Sequence, residues 1–223
     1  MIAVSAAYFI SSVNTSIIVT RIVLHKDIRT LGSGNAGFTN VLRCVGKVPA
    51  IITFVGDFLK GVVSVGLAYL LMMDVAGDNA ELYRAYIMYT AGLFAVIGHT
   101  FPVYYKFKGG KGVVTTASVM LMTDCRVLVV ALVIFVIMFT ATKIISACAL
   151  VNAAFYPIST ITFRLLDCNG VLDVLNPTKN VTVSFAVYAS VITLMIAILV
   201  IVRHKDNIKR LLDGSEKKIK AKK

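Results

Sequence analysis

Thirteen residues from Leu31 to Arg43, LGSGNAGFTNVLR, hold three glycines, two asparagines, a serine, a threonine and an arginine. Gly32, Gly34 and Gly37 let the backbone bend and turn its N–H groups outward. Ser33, Asn35, Thr39 and Asn40 add neutral donors, and Arg43 adds a forked cation. Those residue types at that density predict a seat for an oxyanion such as phosphate. A second segment, FKGGKG from Phe107 to Gly112, sets Lys108 and Lys111 around Gly109 and Gly110 at the mouth of a helix whose first N–H groups also favour an anion. In the tail, His204, Asn207 and Arg210 or Leu211 recur at helical spacing, so the histidine and asparagine share a face. Asp57 and Lys60 stand three apart inside an apolar run, where ionisable groups are costly. They are expected to pair and to orient the adjoining glycine-rich loop, with Lys60 a candidate phosphate contact. His99, in Gly98-His99-Thr100-Phe101-Pro102, reads as a hydrogen-bonded packer before it reads as a catalyst.

Several familiar chemistries are excluded by spacing. Gly32, Gly34 and Gly37 spell G-x-G-x-x-G with Asp57 twenty residues on, the pattern of a dinucleotide fingerprint, but no strand precedes Gly32 and Asp57 lies in an apolar run. The lysine segment is not a Walker loop, because no glycine stands five positions before Gly110 and Gly112 replaces the required Ser or Thr. No His-x-x-x-x-Asp occurs: Thr30, Tyr104 and Lys209 fill the fifth position after each histidine. No G-x-S-x-G elbow is present. The three histidines, His25, His99 and His204, have no carboxylate or cysteine spaced to complete a metal shell. Neither a metal nor another cofactor is expected. Cys44, Cys125, Cys148 and Cys168 are scattered without a Cys-x-x-Cys pair and read as small apolar packers rather than disulfide partners.

The elements that must hold these residues are membrane spans. The chain is 58% hydrophobic over 223 residues, and its mean hydropathy is +0.84, beyond what a soluble domain of this length sustains. Its net charge of +12 lies between and beyond apolar runs, which points to topology and anionic lipid headgroups rather than nucleic acid. A bilayer core of roughly 30 Å takes about 20 apolar residues as helix. Ile2 to Thr20, Val48 to Met73 and Ala85 to Tyr104 meet that length. Ser11, Ser12, Asn14, Thr15 and Ser16 of the first should face other helices. Val113 to Thr142 is too long for one untilted helix and breaks at Thr123 to Arg126, giving two short helices. Ile144 to Phe163 and Val181 to Val202 follow, joined by a loop with turn signals at Asn169-Gly170 and Asn176-Pro177. Eighteen of the 23 Lys and Arg fall in the segments that this scheme puts inside, and Arg84, Arg126, Arg164 and Lys179 fall outside. The expected architecture is therefore an all-α polytopic membrane protein with seven transmembrane helices, two of them short. Its N-terminus is outside on an uncleaved first helix, its C-terminus is cytoplasmic, and residues 1–223 form a single domain. All three polar segments then share one side of the membrane.

Taken together and in this order, the polar segments resemble the signature motifs of the PlsY family, the bacterial membrane acyl-phosphate:glycerol 3-phosphate acyltransferases. They are GSGNAGFTNVLR (Gly32 to Arg43), GHTFPVYYKFKGGKG (Gly98 to Gly112) and HKDNIKRLLDGSEKKI (His204 to Ile219). GDFLKG (Gly56 to Gly61) is similar to a further Asp-x-x-Lys-Gly element. The resemblance implies transfer of a fatty acyl group from acyl phosphate to glycerol 3-phosphate, giving lysophosphatidic acid and phosphate, without a metal or acyl-CoA. It implies a multi-pass protein of the bacterial inner membrane with its site facing the cytoplasm. It makes Ser33, Lys111, His204 and Asn207 the expected catalytic set. Gly34, Asn35, Thr39, Asn40, Arg43, Lys60, His99, Lys108, Gly109, Gly110, Ser146 and Arg210 become the expected substrate contacts and their support. Two departures stand out. Ser12-Val13-Asn14-Thr15 replaces Gly-Ser-Ile-Pro, and Ser146-Ala147-Cys148-Ala149 replaces Ser-Leu-Ser-Ser, which removes two hydroxyls that could contact acyl phosphate. The alternative class is a small transporter of a phosphorylated or anionic solute. Against it, the polar segments cluster at one face and no inverted halves appear.

Overall fold

The computed structural model describes residues 1–171, 178 and 180–218. The predicted Asn176-Pro177 turn, Lys179, Ile219 and the last lysines lie outside the described residues. Every regular element among the described residues is helical. Six stretches are long and apolar enough to cross a bilayer, and a seventh apolar helix, Val113–Thr123, is shorter.

The chain divides into two compact units, Met1–Thr123 and Asp124–Lys223. In the first unit, the span predicted as one helix from Ile2 to Thr20 is broken. Helix α1 covers Ile2–Ser11, α2 covers Thr15–Leu24, and Ser12 to Asn14 separate them. The Asn14 side chain caps α2 by accepting from the Ile17 N–H at 3.1 Å and the Ser16 hydroxyl at 2.7 Å. An unbroken hydropathy run hides this because the breaking signal is a side chain that competes for backbone N–H groups. The predicted inward polar face is present: the Ser11 and Ser64 hydroxyls meet at 3.1 Å, and Ser11, Ser12, Asn14 and Ser16 are all buried.

Helices α3 (Phe38–Cys44), α4 (Lys47–Leu70), α5 (Ala80–Thr100) and α6 (Val113–Thr123) complete this unit, with α4 packed against each of the other helices. Small residues set the spacing, as expected where lipid offers no hydrophobic drive between helices. A Cβ built on Gly61 would lie 1.9 Å from the Ser118 hydroxyl, and one on Gly92 would lie 2.5 Å from Val119. Those two glycines are what let α6 lie against α4 and α5.

The two short helices predicted from Val113 to Thr142 fall in different units, α6 closing the first and α7 (Cys125–Thr142) opening the second, and they are unequal in length. Where α6 has 11 residues, α7 has 18 and is long enough to span alone. Its Val129, Leu132, Val133, Val136 and Ile137 are exposed at helical spacing, an apolar stripe suited to lipid. Helix α8 (Ile145–Cys168) packs on α7, and α9 (Val183–Arg203) packs on α8; the short α10 (Lys205–Leu212) follows α9. Arg126 and Arg164, counted by the charge scheme as outer cations, are buried in a four-charge cluster with Asp124 and Asp167. Arg126 reaches both carboxylates at 2.7 Å, and Arg164 reaches them at 3.1–3.2 Å. Opposite charges in equal number make the cluster neutral, which is the condition for tolerating it away from water. In the first unit Arg84 is likewise occupied, by Glu81 and by the carbonyls of Met72, Met73 and Val75.

Candidate active site

The glycine-rich loop of the first unit is wrapped around one side chain. Asn40 is 2% exposed, and its amide nitrogen donates to the carbonyls of Ile28 (3.2 Å), Leu31 (2.9 Å) and Asn35 (3.1 Å), while its oxygen accepts from the Ser33 N–H at 3.0 Å. Gly32 lies so close to it that a Cβ there would meet the Asn40 oxygen at 2.4 Å, and its φ of +56° is left-handed as well. Asn40, expected at the substrate, is thus the hub that shapes the loop. The side chains the loop turns outward are different ones: Ser33 and Arg43 are exposed, and Asn35 and Thr39 are half-buried. Arg43 forms no hydrogen bond or ion pair with any described residue. An open hollow beside Gly32 is lined by Leu24, Lys26, Leu31 and Cys44.

The second loop begins where α5 ends at Thr100. Lys106 and Phe107 are consecutive non-glycine residues in the left-handed region, with φ of 58° and 56°. Lys108 is exposed, whereas Gly109 and Gly110 are buried. The glycine pair has a packing cause. A Cβ on Gly109 would stand 2.1 Å from the His99 carbonyl, and one on Gly110 would stand 2.1 Å from His99 Nε2 and 2.7 Å from the Ala36 carbonyl. Gly110 therefore sits wedged between His99 and the first loop, and the two phosphate-type loops are in direct contact. Lys111 is half-buried and partnered.

Beneath them runs a buried polar column. His99, 3% exposed, has Nδ1 3.7 Å from Asp57, and Asp57 pairs with Lys60 at 2.9 Å. The expected Asp57–Lys60 pair is present. The Lys60 ammonium is occupied a second time, donating to the Val13 carbonyl at 3.1 Å, in the break between α1 and α2. That places Lys60, predicted as a phosphate contact, under the helix break and 7% exposed. The His99 carbonyl accepts from the Gly110 N–H of the second loop at 3.2 Å.

Two residues that sequence reasoning passed over join the loops. Asp27 caps the short turn Ile28–Thr30 and takes two hydrogen bonds from the Arg29 guanidinium, at 3.0 and 2.7 Å. The remaining Arg29 nitrogen donates across to the carbonyls of Tyr105 and Lys108 at 2.8 and 3.2 Å. The Arg29 hydrogen bond outweighs partial burial and holds the Asp27 carboxyl down at about 2.

In the second unit, three predicted residues converge on a fourth, Glu216, which carried no predicted role. The Glu216 carboxylate accepts from the Ser146 hydroxyl (2.7 Å), the Asn207 amide (2.6 Å) and the Arg210 guanidinium (2.6 Å). Burial pushes this carboxyl up, but the bonds from Ser146, Arg210 and Asn207 together hold it below the usual range. His204, 2% exposed, sits 2.7 Å by Nδ1 from the Val200 carbonyl. A carbonyl only accepts, so Nδ1 carries a proton in that contact. Cys148 stands near Ser146 with its thiol on the Ile144 carbonyl at 3.2 Å. Among the described residues no three His, Cys, Asp or Glu side chains gather as a metal would require.

In the first unit, neutral donors and cations thus stand on two touching loops held by buried polar residues. Comparisons with known proteins give the family. Residues 1–214 match the family model described as glycerol-3-phosphate acyltransferase. A glycerol-3-phosphate acyltransferase of Alkaliphilus metalliredigens is 34% identical over 219 residues, covering 98% of this chain and 95% of its own. One from Coxiella burnetii is 36% identical over 220 residues, covering 99% and 98%. The crystal structure of PlsY (YgiH), an integral membrane glycerol 3-phosphate acyltransferase, is similar in its glycerol 3-phosphate form. It has a TM-score of 0.77 and 26% identity, covering 98% of this chain and 94% of that one. The lysophosphatidic acid form gives a TM-score of 0.71 at 27% identity.

Proposed function

The chain belongs to the glycerol-3-phosphate acyltransferase family, and on that premise we propose that it moves a fatty acyl group from acyl phosphate to the terminal hydroxyl of glycerol 3-phosphate. It is an integral membrane acyltransferase of the PlsY type. The observation that carries the donor assignment is the pair of touching loops, which offer Ser33, Thr39, Arg43 and Lys108 around a rigid glycine-lined base.

Acyl phosphate is a mixed anhydride and arrives activated, so the protein need not supply a covalent nucleophile. The glycerol hydroxyl oxygen bonds to the carbonyl carbon, the bond from that carbon to the phosphate oxygen breaks, and phosphate leaves with the electron pair. The protein's work is to bring two anions together and to stabilise charge as it develops on the carbonyl oxygen and the departing phosphate. Ser33, Asn35 and Thr39 with the N–H of Gly34 serve the carbonyl and phosphate, and Arg43, Lys108 and Lys111 offset the repulsion. Asn40, His99, Gly109, Gly110 and Lys60 serve by holding the loops. In the second unit, His204, Asn207, Arg210 and Ser146 position glycerol 3-phosphate. The hydroxyl proton has two candidate acceptors, His204 Nε2 and an oxygen of the substrate's own phosphate. A base loses mainly kcat on replacement and a binder mainly affinity, so His204→Gln separates them. The acyl tail lies in an apolar groove open to the bilayer, with the hollow beside Gly32 suited to its first carbons.

The charge asymmetry supports seven crossings with the N-terminus outside, the C-terminus in the cytoplasm and the chemistry at the inner face of the bacterial cytoplasmic membrane. Residues 1–223 act as one acyltransferase domain. The test is lysophosphatidic acid formation by purified protein given glycerol 3-phosphate and either acyl phosphate or acyl-CoA, with phosphate release followed for the first donor. Product from acyl phosphate and none from acyl-CoA is expected. Turnover of acyl-CoA, or passage of labelled glycerol 3-phosphate across vesicles without product, would overturn the reading.

A further inference from the structure

The turn from Tyr105 to Lys108 is the most strained stretch of the first unit's polar surface. Left-handed φ at Lys106 and Phe107 in succession crowds Cβ against the following carbonyl, and such a pair persists only where neighbours over-determine it. Backbone bonds supply part of that: Phe107 donates to Pro102 at 3.0 Å and Gly109 to Thr100 at 3.1 Å. The carbonyls that bracket the strained pair, Tyr105 and Lys108, are both taken by one guanidinium nitrogen of Arg29, 76 and 79 residues away in the chain. The other two nitrogens of that guanidinium are locked on Asp27, which also caps the Ile28–Thr30 turn leading into the glycine-rich loop. Arg29 is half-buried, and its bonds to Asp27 are charge-assisted at both ends.

We infer that Arg29, oriented by Asp27, is a positioning residue for the reaction. It staples the strained lysine turn to the base of the glycine-rich loop and so fixes where Lys108 and Lys111 stand relative to Ser33 and Arg43. Arg29 touches no substrate; it acts through the two loops. A lysine cannot replace it, because a single ammonium cannot grip a carboxylate in fork geometry and bridge two carbonyls as well. The inference rests on the acyl-phosphate reading of the site.

The experiment uses full-length protein in lipid vesicles, with wild type, Arg29→Ala, Arg29→Lys and Asp27→Asn assayed for phosphate release while each substrate is varied in turn. Expected is a rise in KM for a phosphorylated substrate of roughly tenfold or more in both Arg29 variants, with a smaller change in kcat. Asp27→Asn should fall between them and wild type, and added guanidinium should lower the KM of Arg29→Ala. A role confined to folding would reduce the amount of active protein, lowering kcat at unchanged KM, and that result overturns the inference. So does a wild-type KM in Arg29→Lys and Asp27→Asn, the variants that keep the test open should Arg29→Ala fail to insert. An inactive wild type overturns the functional reading and this inference together, whereas an active wild type with indifferent variants overturns this inference alone.

Discussion

Replacing Asn40 by alanine should open the glycine-rich loop without disturbing the helices around it. The side chain has two amide hydrogens shared among the carbonyls of Ile28, Leu31 and Asn35, and its oxygen holds the Ser33 N–H. Counting three net hydrogen bonds at about 0.5–1.5 kcal/mol each gives about 1.5–4.5 kcal/mol of local ordering lost. At about 1.4 kcal/mol per tenfold, the loop should open about 10- to 1,600-fold more often. Amide hydrogen exchange across Leu31 to Gly37, in full-length protein without substrate, reads that opening directly, and phosphate release should fall in parallel. The reasoning is refuted if exchange stays at the wild-type rate while turnover is lost. That result would mean Asn40 acts on the substrate and not on the loop.

Gly110→Ala would put a Cβ 2.1 Å from His99 Nε2, so turnover should drop by at least tenfold in folded protein. Gly66→Ala, whose Cβ would find ordinary contact at 3.7 Å from Met122, should stay near wild type in the same phosphate-release assay. Lys60→Met leaves the Asp57 carboxylate and the Val13 carbonyl uncompensated, and should destabilise by about 3–5 kcal/mol; adding Asp57→Asn should recover part of that in thermal melts. The Glu216 carboxyl is held below its ordinary value, so its contribution to stability is complete above the usual glutamate range and is lost as pH falls through the lower folded value. Melting temperature followed from neutral to acid pH should show that loss in wild type, and Glu216→Gln should be weaker throughout and lack this acid limb.

Residue types alone made the two loops legible, because a density of Gly, Ser, Asn and Thr in a hydrocarbon-rich chain has few other uses. Roles within the loops were less legible. Asn35, Thr39 and Asn40 look alike in sequence, yet only Asn40 sits where the carbonyls of Ile28, Leu31 and Asn35 come together, and that convergence exists only once the chain is folded. Arg29 and Arg126 were read as topological charges because counting cations by side ignores what each one touches. Both are bound to carboxylates at 2.7 Å. Glu216 was hidden by its lysine neighbours, which make the tail look like a solvated end. The paired glycines at 109 and 110 were noticed but assigned to substrate, whereas close approach of backbone to His99 and Ala36 already requires them. Span existence was read well from hydropathy. The break after Ser11 was missed because neither Ser12, Val13 nor Asn14 interrupts an apolar average enough to register.

That break bears on how the protein is made. Helix α1 has ten residues, about 15 Å at 1.5 Å per residue, or half the thickness of the oily layer. The carbonyl at Val13 is answered by the ammonium of Lys60, which leaves the ribosome 47 residues later. Until then the nascent first span carries an exposed dipole that hydrocarbon cannot solvate. Hydrocarbon disfavours that dipole without its donor, so the first span and α4 gain from entering lipid together.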